Sequence, residues 1–259
     1  MGYALITGSS KGIGKAMAFE LAKKGFDILL VARSEDLLKA VASDITTMHG
    51  VKADYLIADL SDQQSPKKIL DWCHANNYIV SALVNNAGYG LSGRFESYSL
   101  DDYEAMMQVN MNAMVSLCYL FLPGLKKLPQ AYILNIASST AYQAVPGLIL
   151  YAASKTFVLS FSRTLHYELR KTSVSVTVSS PGATDTDFVN RANMRGKTLI
   201  IAERFNMTPE SVARITVRAM LHKRTEVITG AVNKFGAFLA WILPKKFVEH
   251  KIAGIYQMR

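Results

Sequence analysis

Short apolar runs alternate with longer stretches of helical period through most of the chain, and this alternation restricts the fold more than any other feature. The runs cover residues 3–7, 27–32, 53–58, 79–85, 131–137, 174–179 and 226–229. Most are continuously apolar rather than alternating, as expected of strands covered on both faces of a parallel sheet. Residues 14–24, 34–48, 62–75, 100–126, 152–171 and 209–222 read as helices. In 34–48, Leu37, Leu38, Val41, Ala42, Ile45 and Met48 recur at helical spacing, behind Ser34 as N-cap and the acidic pair Glu35-Asp36. Strand–helix alternation builds right-handed βαβ units. The expected fold class is therefore α/β, a doubly wound parallel sheet of about seven strands with helices on both faces. A chain of 259 residues suits one domain, 1–259, and its 50% hydrophobic content excludes disordered and low-complexity classes. Two segments depart from the alternation. Residues 185–206 are polar and aperiodic, as expected of a mobile loop over a substrate site, and 234–259 form an apolar and basic extension.

The first strand runs into Thr7-Gly8-Ser9-Ser10-Lys11-Gly12-Ile13-Gly14, and a helix follows. Gly8 suits a tight turn, while Gly12 and Gly14 remove side chains where backbone must approach a phosphate and helix must pack on sheet. The N-terminus of that helix then offers free N–H groups to a pyrophosphate, which makes the expected sheet Rossmann-type. Three residues separate the first two glycines, and Thr-Gly-x-x-x-Gly-x-Gly resembles the short-chain dehydrogenase/reductase family. Further segments carry the same resemblance in the family's order: Asn85-Asn86-Ala87-Gly88, Asn110 in Gln108-Val109-Asn110, Ser138, Tyr151-Ala152-Ala153-Ser154-Lys155 and Pro181-Gly182. Together they span residues 3–229. Two positions depart: Ala113 stands where the family often has Gly, and Ser139 adjoins Ser138. Ser138 is preferred because its 13-residue distance to Tyr151 matches the family.

Reducing a carbonyl requires a hydride at carbon and a proton at oxygen. A phenol with a solution pKa of about 10 is a poor base near neutrality, but a nearby cation stabilises its anion. Tyr151 and Lys155 stand four apart and share one helix face. The resemblance implies Tyr151 as general acid/base, Lys155 as its modulator and ribose ligand, Ser138 as holder of the substrate oxygen, and Asn110 in a water-linked proton relay. It implies cofactor contacts from Gly8, Ser10, Lys11, Gly12, Ile13 and Gly14 at the phosphates, and from Asp59 and Leu60 at the adenine. Asn86 is placed on the adenosine side with Ala87 and Gly88, and Pro181, Gly182, Thr184 and Thr186 complete the set beside Tyr151 and Lys155. The second strand ends in Arg33 where an NAD site usually carries an acid, and Lys11 lies in the glycine turn, so NADP(H) is the expected cofactor. The alternative is a non-catalytic NADP(H)-binding regulatory or scaffold protein.

The expected substrate is a hydrophobic ketone or aldehyde, or the matching alcohol. Tyr89, Leu91, Phe95, Tyr142, Val145, Leu148, Ile149, Phe188, Met194 and Leu199 come from the segments expected around the nicotinamide. Lys and Arg number 29 against 20 Asp and Glu, but the basic pairs are scattered near predicted helix ends, and no nucleic-acid partner is expected. The five histidines show no ligand spacing, so no metal is expected. Cys73 and Cys118 read as buried thiols of a reducing compartment. Without a signal-like leader or an apolar run near 20 residues, a cytoplasmic setting is expected. Apolar residues on 100–126 and 152–171, among them Met106, Met111, Met114, Leu117, Phe157, Phe161 and Leu165, favour a homodimer or homotetramer, since the family pairs these helices about a twofold axis. The uncharged run from Phe235 to Leu243, followed by Pro244 and Lys245-Lys246, leaves two readings: internal or subunit packing, or peripheral membrane contact.

Overall fold

The computed structural model describes residues 2–185 and 206–255. Seven parallel strands, β1 (Tyr3–Thr7), β2 (Asp27–Ala32), β3 (Ala53–Ile57), β4 (Val80–Asn85), β5 (Ala131–Ile136), β6 (Val174–Ser180) and β7 (Glu226–Ile228), form one sheet in the order β3-β2-β1-β4-β5-β6-β7. The doubly wound expectation holds. Strand order reverses between β1 and β4, and in open α/β sheets the crevice at the carboxyl ends of such strands takes the ligand.

Helices cover both faces. Helix α1 (Gly12–Ala22), α2 (Glu35–His49) and α7 (Pro209–Leu221) enclose one core around Ile6, Ile28, Leu30 and Leu134. On the other face lie α3 (Ser65–Ala75), α5 (Ala113–Leu125) and α6 (Ile149–Leu169), whose core includes Leu5, Leu29, Leu83 and Ile133. Alternate residues of each strand thus feed opposite cores, and continuous apolar runs are what that arrangement demands. Ser34 occupies the N-cap position of α2, but its hydroxyl makes no capping bond.

The predicted helix 100–126 is more elaborate. It begins as α4 (Leu100–Met107), closed by a capping box between Ser99 and Asp102, then widens to a π turn over Gln108–Asn112 before α5. By length and composition Leu100–Leu125 could cross a membrane, contrary to the sequence expectation that no run would suffice. Here it is a core helix, since Met106, Met114, Leu117 and Phe121 are buried within the chain. The same burial removes Met106, Met114 and Leu117 from the side chains expected to seek a subunit partner, whereas Phe157 stays exposed and stacks on Phe161 at 6.0 Å. The extension beyond β7 forms α8 (Ala231–Ile242) and α9 (Lys245–Ile255), parted at Pro244.

Candidate active site

One cleft of about 820 Å³ runs along the carboxyl ends of the strands. Every described cofactor-binding residue expected from the sequence lines it, together with Ser138. Thr186, Phe188, Met194, Leu199 and most of the loop 185–206 lie outside the described residues.

The glycine turn forms the first end. Gly8 and Gly12 have φ of +64° and +54°, where a side chain would be strained. A Cβ on Gly14 would stand 2.2 Å from the Gly8 carbonyl oxygen, and one on Gly8 would stand 2.9 Å from Ala87 Cα. Helix, turn and β4 therefore meet with no room for side chains. Hydrogen bonds lock the turn to both neighbouring strands. The Gly8 N–H donates to the Val31 carbonyl at 2.8 Å, and the Val31 N–H donates to Ser9 Oγ at 3.0 Å. Asn86 Nδ2 donates to the carbonyls of Thr7 and Gly8, while the N–H groups of Asn86 and Ala87 donate to Thr7 Oγ1. Thr7, Ser9 and Asn86 are thus a built-in brace. The sequence reading missed this work for Thr7 and Ser9, and only their place inside the motif signals it.

At the outer edge of this end, Arg33 pairs with Asp59 at 3.5 Å, both half exposed. Burial alone would raise the Asp59 pKa, but hydrogen bonds from Ser61 and the Arg33 guanidinium hold the carboxyl below its usual range. Asp59 accordingly keeps its charge and holds the guanidinium at the mouth of the cleft.

The other end centres on the first turns of α6. Tyr151 and Lys155 are both buried, and Lys155 Nζ lies 5.7 Å from the Tyr151 ring centre. Nζ donates to the Ile136 carbonyl at 2.9 Å, which anchors it to the end of β5. Burial pulls the Lys155 pKa down to about 8, so the ammonium is poised near neutrality. Ser138 follows β5, and its Oγ accepts the Thr140 N–H at 3.2 Å. Asn110 does not line the cleft; it stands behind the wall in the π turn, a distortion common at functional positions. Its Oδ1 accepts the Tyr89 N–H at 3.0 Å, and Nδ2 donates to the Tyr89 carbonyl and to Ser154 Oγ. Ser154 in turn donates to the Tyr151 carbonyl at 2.7 Å. A Cβ on Gly88 would lie 3.1 Å from Asn110 Oδ1 and 3.2 Å from Lys155 Nζ, so the two polar groups flank that glycine closely. Ser154 is a further positioning residue, hidden in the sequence as a filler of the Tyr-x-x-x-Lys spacing.

The walls around this end only partly match expectation. Tyr89, Val145 and Leu148 line the cleft. Tyr142 does not, because its hydroxyl donates to Glu226 and reaches Ser180, drawing the ring toward β6 and β7. Ile149 and Phe95 are exposed instead. Unforeseen in detail are Val232 and Asn233 of α8 and Ile252 of α9. A Cβ on Gly182 would stand 2.1 Å from Asn233 Nδ2, so α8 closes directly over Pro181-Gly182. Cys73 and Cys118 are buried away from the cleft, and burial pushes both thiols up to about 12.

The residues fit a dinucleotide. Bare glycine backbone leaves space where phosphates need close approach, and the cleft passes from a basic rim to a buried phenol and ammonium. Comparison with known proteins agrees. A very-long-chain 3-oxoacyl-CoA reductase of Anas platyrhynchos is 35% identical over 182 residues, and hydroxysteroid dehydrogenase-like protein 1 of Gallus gallus is 33% identical over 197, covering 67% and 75% of this chain. The alignments take in only 57% and 59% of those relatives' own lengths. Among solved structures, a short-chain dehydrogenase from Sphingobium yanoikuyae in complex with NADPH superposes with a TM-score of 0.82 at 26% identity, covering 92% of each chain. A Burkholderia phymatum relative in complex with NAD shares the fold with the same TM-score at 23% identity, again covering 92% of each chain. The sequence profile described as short chain dehydrogenase matches residues 2–196, which carry both the glycine turn and the Tyr151–Lys155 turn, and the chain belongs to the short-chain dehydrogenase/reductase family.

Proposed function

We propose that the protein is an NADPH-dependent reductase of hydrophobic ketones or aldehydes, working in reverse as an alcohol dehydrogenase. The observation that carries this reading is the buried Tyr151–Lys155 pair opening on the same cleft as the glycine turn. A reduced dinucleotide supplies a hydride when bound. Tyr151 donates its phenolic proton to the substrate oxygen, and the Lys155 ammonium lowers the cost of the phenolate left behind. Ser138, whose Oγ accepts the Thr140 N–H, keeps its hydroxyl hydrogen to donate to the same oxygen. Asn110 holds Tyr89 against α6 and fixes the floor beside Lys155.

Preference for the 2′-phosphate rests on Arg33 and Lys11 at the cleft rim, with Asp59 orienting the guanidinium rather than serving a ribose. Solved relatives hold either cofactor, NADPH in the Sphingobium protein and NAD in the Burkholderia one, so the choice rests on these residues. The apolar character of the substrate rests on Val145, Leu148, Val232 and Ile252 in the walls. It is in keeping with relatives named for 3-oxoacyl-CoA and hydroxysteroid chemistry. The stacked Phe157–Phe161 pair on α6 is read as part of a twofold subunit contact. The test is oxidation of NADPH and of NADH with ketones of increasing apolar bulk. Faster turnover with NADPH and rising kcat/KM with apolar bulk are expected; equal use of NADH, or no oxidation with any carbonyl, overturns the corresponding part.

A further inference from the structure

Helix α8 turns most of its large apolar side chains outward, and α9 follows it with Phe247 and three lysines exposed. On α8 the partly buried positions are Asn233, Ala237, Leu239 and Ala240, so one leucine and two alanines make up its inward apolar face. Most of the large side chains turn to solvent instead: Phe235, Phe238, Ile242 and Trp241, the last 82% exposed. No residue of α8 is buried. A helix that served only internal packing would do the reverse, so that sequence reading does not describe these side chains. Contiguous apolar exposure of this kind marks an interaction surface.

Charge identifies the occupant. Between residues 231 and 255 stand Lys234, Lys245, Lys246 and Lys251 against the single acid Glu249, and all four lysines are exposed. Lys251 Nζ sits 5.5 Å from the ring centre of Phe247, itself half exposed, so cation and apolar surface lie side by side. An interfacial amphipathic element has this composition, with aromatic rings at headgroup depth and lysines near lipid phosphates. A second copy of the chain suits the surface less well, since both copies would present the same net positive segment, four lysines against one acid. At about 1.5 Å per residue, α8 reaches about 18 Å and lies along the membrane rather than across it. We propose that α8 and α9 dock the protein on an anionic lipid surface. Because Val232 and Ile252 of these helices also wall the cleft, docking brings its apolar end next to the bilayer.

Flotation of the whole protein with phosphatidylglycerol–phosphatidylcholine vesicles, without cofactor or substrate, tests this independently of any reductase activity. Binding at low salt is expected, with weakening in high salt and on pure phosphatidylcholine. In a Trp72→Phe background the Trp241 emission is expected to shift to the blue on vesicle addition. Phe238→Ser with Trp241→Ser, and separately Lys245→Glu with Lys246→Glu, should each weaken vesicle binding more than tenfold at unchanged circular dichroism and NADPH affinity. No binding to the anionic vesicles at low salt overturns the proposal. So does binding that neither variant pair weakens, or a stable dimer that ignores vesicles and falls apart in the Phe238/Trp241 variant.

Discussion

The two ends of the cleft are built by different means. At the glycine end the fit is backbone on backbone: Gly14 faces the Gly8 carbonyl, and Thr7, Ser9 and Asn86 tie the turn to β2 and β4 through main-chain groups. At the Tyr151 end, side chains from β5, the π turn, α6, α8 and α9 converge, and the functional groups are buried and polarised. The first end offers rigid shape and N–H donors, which suits binding that is the same before and during reaction. The second offers a proton and a cation in a desolvated place, where electrostatics acts most strongly as the reaction proceeds. The difference teaches that binding and turnover should separate under mutation.

Tyr151→Phe should separate them most sharply. Turnover is expected to fall roughly 10²–10⁴-fold, with the NADPH Kd within about tenfold of the parent, as read by fluorescence titration beside initial rates. Retained turnover would mean that the proton comes from elsewhere.

Next in size is a pH effect confined to the second end. The Lys155 pKa is lowered from 10.5 to about 8 by burial, so between these values the unfolded chain binds more protons than the folded one. Stability contributed by this group therefore rises with pH across about 8 to 10.5, by up to about 3 kcal/mol, and the full burial penalty stands below about 8. Cys73 and Cys118, with raised pKa values, push the other way above about 9. They are common to both proteins if Lys155→Met is compared with the parent by urea unfolding across that range. The parent's stability should gain on the variant's as pH rises; parallel curves would contradict the burial account.

At the first end, Gly14→Ala should weaken NADPH on the order of a hundredfold, because its Cβ meets the Gly8 carbonyl oxygen and forces the turn apart. Isothermal titration reads this directly, and unaltered affinity would show that the turn gives way freely. Smaller still, Arg33→Ala should cost NADPH about tenfold and leave NADH nearly unchanged, since the guanidinium is half exposed and already shared with Asp59. A uniform loss for both cofactors would place Arg33 in folding rather than in 2′-phosphate recognition.

The contrast between the ends also explains what could be read from residues alone. The strands, the helices and the glycine turn follow local periodicity and spacing, and Tyr151 with Lys155 is a one-turn relation on a single helix. Tyr142 escaped because its direction is decided by Glu226, 84 positions away. The π turn at Gln108–Asn112 leaves no mark in the apolar period, yet it sets where Asn110 meets Tyr89 and Ser154. Asn233 and Ile252 belong to a segment whose apolar pattern left both packing and lipid contact open, packing being the plainer reading. Only the tertiary arrangement shows the aromatic side chains of α8 turned outward and its Asn233 set over Gly182.

The central claim is that the cleft carries out hydride transfer coupled to protonation by Tyr151. The most direct measurement uses NADPH deuterated at the transferable position with a hydrophobic ketone, and mass analysis of the product. The account predicts alcohol bearing deuterium at its carbinol carbon, formed by the parent and almost absent with Tyr151→Phe. Tight NADPH binding without deuterated alcohol from any ketone or aldehyde would contradict it.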